Sequence, residues 1–118
     1  KVTMKVPLFS HVTSLILSYN ELNLEGIEQF SRALYCLPNL KVLDLKKTWM
    51  QWHGLHHLRD AIEHIGSTLK EKGQSYPLSA LDISENNIGE EGARAISSIF
   101  SIFVCHLSLH SLPLDFTM

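Results

Sequence analysis

Three stretches of this chain fall on one ruler. From Leu78, fixed offsets meet Leu81, Ile83, Asn86, Ile88, Gly92, Ile96 and Phe100. From Val12 the same offsets meet Leu15, Leu17, Asn20, Leu22, Gly26, Phe30 and Leu34. From Leu40 they meet Leu43, Leu45, Thr48, Met50, Gly54, Leu58 and Ile62, with Thr48 in the Asn place and Met50 in place of a branched aliphatic. The opening apolar residues of each register nearly alternate, as in a strand, and the closing ones recur every fourth residue, as on one face of a helix. A strand, a turn and a helix of this size cannot bury both apolar faces alone. The units must therefore stack on one another.

The units are expected at about 12–39, 40–77 and 78–103, with 104–118 a degenerate fourth unit or a cap. The second starts 40 − 12 = 28 residues after the first, and the third 78 − 40 = 38 after the second. The middle unit thus holds about ten extra residues, expected on the return from its helix to the next strand. Helices are predicted over about 25–35 and 53–72, and the third begins near Glu90 and Glu91, whose charges suit a helix N-terminus. Pro38 and Gly73 are expected stops, and Gly26 is expected to let its helix start lie close to the neighbouring unit. Asn20 and Asn86 should hydrogen-bond backbone groups of their own and adjoining turns. Lys1 to His11 reads as the tail of an earlier unit or a strand covering the first. After Phe100 the pattern falters: Val104, Leu107 and Leu109 allow a fourth strand, but Leu112 takes the Asn position. The tail is either a cap or, as the reading leans, the product of truncation or splicing.

The pattern LxxLxLxxNxLxxxGxxxLxxxL, on the residues just named, resembles the leucine-rich repeat in its ribonuclease-inhibitor-like subclass, over Val12 to Phe100. The resemblance implies an α/β solenoid, a horseshoe segment with parallel strands on the concave face and helices on the convex face. It also implies protein recognition through the concave face and upper rim. Similar repeats occur in the NLR receptors, the Ran GTPase-activating proteins and the CARMIL regulators. Two further readings accompany them: a small-GTPase regulator of the Ran-activator type, and an architectural or autoinhibitory segment of a larger receptor. Only scaffold positions match, so no partner-binding residue is carried over from these families.

Composition narrows the function classes. A net charge of −2 lacks the basic face that nucleic acid requires. Cys36 and Cys105 stand far apart without a C-x-x-C spacing, so buried free thiols are expected. Few cysteines and no N-x-S/T sequon point to a cytoplasmic, reducing setting. Ala95 to Leu114 carries no charged side chain. Its serines, histidines and Pro113, and its overlap with the last helix, argue against a membrane span. No phosphate loop, G-x-S-x-G or H-E-x-x-H occurs, so no enzyme, cofactor site or metal site is expected. His53, His57, Asp60 and His64 share a helix face, which reads as solvated because Leu58, Ile62 and Ile65 take the inner one.

The candidate site is therefore a surface. Side chains between the strand leucines must point away from the core. Rows of Ser14, Ile16, Ser18 and Tyr19; of Val42, Asp44, Lys46 and Lys47; and of Ala80, Asp82, Ser84 and Glu85 should lie side by side. Asp44 and Asp82 should form an acidic patch. Trp49 either stands at the upper rim or folds over a neighbouring helix, and Trp52 is expected to pack as core. The predicted partner-binding residues are Ile16, Ser18, Tyr19, Asp44, Lys46, Lys47, Trp49, Asp82, Ser84 and Glu85.

Overall fold

The structure, a computed structural model, describes residues 9–106, with side-chain environments through Ile99. The element order is β1 (Ser14–Ile16), α1 (Asn23–Ala33), a 3-10 turn (Leu34–Cys36), β2 (Val42–Asp44), α2 (Gln51–Glu71), β3 (Ala80–Asp82) and α3 (Gly89–His106). The strands form one parallel sheet in the order β1-β2-β3. Ser14, Val42 and Ala80 align across it, as do Leu15, Leu43 and Leu81, and Ile16, Asp44 and Asp82. These are the positions that the 28- and 38-residue offsets superpose. Helix α1 packs on α2 and α2 on α3, so strands and helices keep the same order in both layers.

The core lies between those layers. Leu43, Leu81, Leu45 and Ile83 enter it from the strand side, and Ile27, Leu34, Leu55, Leu58, Ile62 and Ile99 from the helix side, all fully buried. Truncating one such leucine to alanine costs about 2–5 kcal/mol. The sheet ladder continues beyond the strands. Leu17 N–H donates to the Asp44 carbonyl at 2.8 Å and Tyr19 N–H to that of Lys46 at 2.9 Å. One unit on, Leu45 donates to Asp82 at 2.8 Å and Lys47 to Ser84 at 3.0 Å.

Polar side chains seal the turns. Asn86, buried, donates from Nδ2 to the carbonyls of Leu45, Ile83 and Ser84 at 2.9, 2.9 and 3.1 Å. Its Oδ1 accepts from Thr48 N–H at 2.8 Å and from Met50 N–H at 3.4 Å. One amide thus ties the third unit to the second. Thr48 keeps only part of that role, since its hydroxyl donates to its own turn at the Leu45 carbonyl, 2.9 Å away. Asn20 is exposed and, among the described residues, reaches only the carbonyls of Leu17 and Ser18.

Four sequence expectations change. The ten extra residues of the middle unit lie in the helix rather than the return, since α2 has 21 residues against 11 in α1, a difference of 21 − 11 = 10. Helix α2 ends where predicted: Gly73 is left-handed at φ 73°, its N–H bonds Lys70 and that of Gln74 bonds Leu69, which satisfies the last carbonyls. Gly26 does not approach a neighbouring unit. An added Cβ there would press on Leu22 of its own turn, whereas at Gly54 it would meet both Met50 and Ile27 of α1. Val104 lies within α3 rather than opening a fourth strand. Cys36 is an exposed free thiol rather than a buried one. Residues 1–8 and 107–118, with the remainder of the covering-segment and tail readings, lie outside the described residues.

Candidate functional site

Strand alternation turns Ser14, Ile16, Val42, Asp44, Ala80 and Asp82 away from the core. Ile16 is 56% exposed, an aliphatic side chain held out of the core by its register opposite Asp44. The two aspartates are neighbours in the sheet, but their carboxylates turn back on their own turns. Asp44 Oδ1 accepts from Lys46 N–H at 3.0 Å, and Asp82 Oδ1 from Ser84 N–H at 2.9 Å and Ser84 Oγ at 2.6 Å. Ser84, expected on the open face, is therefore only 2% exposed. Its hydroxyl is spent on Asp82, and it leaves the set of surface residues. Ser18 is half-buried.

Beyond the strands each chain segment turns sharply towards its helix, and the three turns share left-handed backbone at two positions, with a third such position in the second and third units only. Tyr19, Lys47 and Glu85, equivalent by the offsets, have φ of 65°, 51° and 56°. Asn23, Gln51 and Gly89, also equivalent, have φ of 61°, 55° and 62°. Between them Trp49 and Asn87 correspond, at 65° and 51°. Asparagine and glycine adopt left-handed backbone readily; a bulky tryptophan there carries strain of roughly 1–2 kcal/mol.

These turns bring the remaining candidates together. Lys46 Nζ lies 3.3 Å from Glu85 Oε2 and 5.8 Å from the centre of the Tyr19 ring. The Glu85 carboxylate, with Tyr19 adding to it, holds the Lys46 ammonium above its ordinary range. Tyr19 is 65% exposed and Trp49 54%. Trp49 thus stands at the rim rather than folding into the core. It lines an open groove of about 290 Å³ together with Lys47, Gln51, Glu85, Asn86 and Asn87. Gln51 and Asn87 were missed in the sequence, where neither carries a charge or an aromatic ring. Their offset from Gly89 and Trp49 was the available signal.

Other candidates separate. Trp52, expected as core, is half-buried and stacks on His53 of its own helix at 3.5 Å between ring centres, with His56 edge-on at 5.5 Å. Asp60 is held by Arg59 at 2.8 Å, and His64 meets Tyr35 edge-on at 5.5 Å. Among the described residues no three His, Cys, Asp or Glu side chains converge as metal ligands. No described helix is long and apolar enough to cross a membrane. Further grooves open among the described residues, two of them lined largely by apolar side chains. One, of about 320 Å³, runs past Tyr35, His64, Leu69 and Lys72. The other, of about 390 Å³, is walled by Phe9, Val12, Leu15, Leu17 and Phe30 beside β1.

A family model described as "Leucine Rich repeat" matches residues 10–31 and 77–97, which overlap chiefly the first and third units. Comparison with curated proteins gives no match.

Proposed function

Taking the chain as one that carries leucine-rich repeats, we propose that it is a protein-binding module rather than a catalyst. Its units form part of a curved solenoid of the ribonuclease-inhibitor-like kind, and a partner protein docks across the strand face and the adjoining rim. Trp49 carries this reading. It is a large aromatic held in a strained left-handed conformation, yet more than half exposed, so burial in the core does not explain it. Tyr19, like Trp49 of a residue type that dominates binding hot spots, extends the same surface, and the exposed Ile16 adds apolar area to it. An exposed free Cys36 suits a reducing, intracellular setting.

The test is quantitative binding of a partner isolated with the chain, by wild type and by two sets of variants. Trp49→Ala and Tyr19→Ala on the rim should each cost about 2 kcal/mol, roughly thirtyfold in affinity. Gln29→Ala and Glu63→Ala on the helices should leave affinity unchanged. Equal binding by all four variants would end the proposal.

A further inference from the structure

Lys46 belongs to the second unit, yet its side chain meets residues of the first and the third. Its ammonium lies 3.3 Å from the Glu85 carboxylate and 5.8 Å from the centre of the Tyr19 ring. Its backbone is tied as well. Lys46 N–H donates to Asp44 Oδ1 at 3.0 Å, and its carbonyl accepts from Tyr19 N–H at 2.9 Å. Tyr19 is thus joined to Lys46 twice, through its main chain and through its ring. Otherwise Tyr19 stands largely in solvent, on a turn of left-handed backbone. An exposed tyrosine of this kind samples several rotamers unless something holds it.

Building on the proposed docking face, we infer that Lys46 is a positioning residue: it holds the Tyr19 ring in the orientation the partner protein meets, and acts on binding through Tyr19 rather than by touching the partner. The division of labour follows from residue type. Tyrosine is enriched at protein interfaces and lysine is depleted. The Lys46 ammonium is also already engaged. Glu85 fixes it from the third unit, and a cation so placed is attracted to an aromatic ring within about 6 Å. Both neighbours favour its charged form, so the hold persists across the neutral range. A ring ordered before the partner arrives loses less rotamer freedom on binding, and that difference appears as affinity. Glu85 is the anchor of the clasp, Lys46 its arm and Tyr19 the group it presents.

The hold is read first in the free protein, from the NMR order parameter of an isotope-labelled Tyr19 ring. Lys46→Met keeps the length of the side chain but removes its charge, and should lower that order parameter. Lys46→Arg, which engages a carboxylate and a ring together, should restore it. Glu85→Gln should lower it less than Lys46→Met does. The urea midpoint should stay in place throughout, because exposed ion pairs contribute little to folding. The partner isolated with the chain supplies the second readout. Lys46→Met should weaken its binding by about threefold, the effect of ordering one more side chain on association. Lys46→Arg should recover the affinity, and in a Tyr19→Ala background Lys46→Met should change nothing. Unaltered ring order in Lys46→Met overturns the inference. So does an affinity loss of the same size with and without Tyr19, which would make Lys46 a direct contact. A ring loosened by Lys46→Met, beside affinities that Tyr19→Ala and Trp49→Ala leave unmoved, would instead overturn the docking face on which the inference rests.

Discussion

Trp49 and Asn87 occupy the same place in successive units, with the same left-handed backbone, yet one is a large indole and the other a small amide. Asparagine suits that backbone through its short polar side chain; tryptophan does not. Replacing Trp49 by Asn should therefore leave the unfolding free energy unchanged or raise it by up to about 1 kcal/mol, while partner affinity falls. Denaturant unfolding measured beside partner binding checks both halves; a loss of stability of several kcal/mol would show that Trp49 acts as core. The outward placement of Ile16, Asp44 and Asp82 was legible in the sequence because strand alternation fixes which side chains face out. Ser84 was the exception. Alternation placed it outward, but the Asp82 carboxylate two residues before it captured both its N–H and its hydroxyl, a local contact that a two-residue period does not encode. Trp49 was undecidable from spacing, because its exposure depends on the handedness of a turn.

At the scale of the element, the turn asparagines separate by context. Asn86 spans two units and is buried; Asn20 serves its own turn and is exposed. Removing Asn86's side chain takes a partner from the Thr48 and Met50 N–H groups and from the Ile83 carbonyl, while the Leu45 carbonyl keeps the Thr48 hydroxyl and the Ser84 carbonyl keeps Lys47 N–H. Asn86→Ala should cost roughly 2–4 kcal/mol and Asn20→Ala less than about 1. Equal losses in the two, measured as shifts in the urea midpoint, would contradict this account of how the units are joined. Asn86's bridging role was legible from the offsets; Asn20's was not, since the same residue type at the same place reaches the carbonyls of its own turn alone among the described residues. The placement of the ten extra residues did not follow. The long second helix itself was legible, expected over about 53–72, yet the extra residues were assigned to the return although the helix simply continues through them. It does so because Ala61, Ile62, Ile65 and the half-buried Leu69 keep an apolar stripe running to the Gly73 stop.

For the whole molecule, the segment after that stop supplies an unexpected core residue. Tyr76 is fully buried, and its hydroxyl has no hydrogen-bond partner among the described residues. Burial, with a smaller contribution from Tyr35, pushes its phenol well above the usual range. An unfolded tyrosine loses its proton near pH 10, whereas the folded one keeps it. The native state then binds more protons than the unfolded state, so Tyr76's contribution is complete below about pH 10 and declines above it, by up to about 1.4 kcal/mol per pH unit. Tyr76→Phe should remove that part of the alkaline loss and, having no orphaned hydroxyl, be at least as stable as the parent near neutrality. Unfolding free energies for the two proteins that fell in parallel from pH 9 to 11 would refute this. The sequence offered Tyr76 only as part of a loop before Pro77; its burial results from the return of α2 to β3 across the core.

The stacked units make the strand face and rim one continuous surface, and the central claim is that a partner protein docks there. A photo-crosslinking amino acid placed singly at positions 16, 49, 29 and 63 tests it most directly. Ile16 and Trp49 belong to the proposed surface, and Gln29 and Glu63 are exposed on the helices. Adducts with one partner from positions 16 and 49, and none from 29 or 63, are the predicted result. Adducts from 29 and 63 alone would place the partner on the helices and contradict the account.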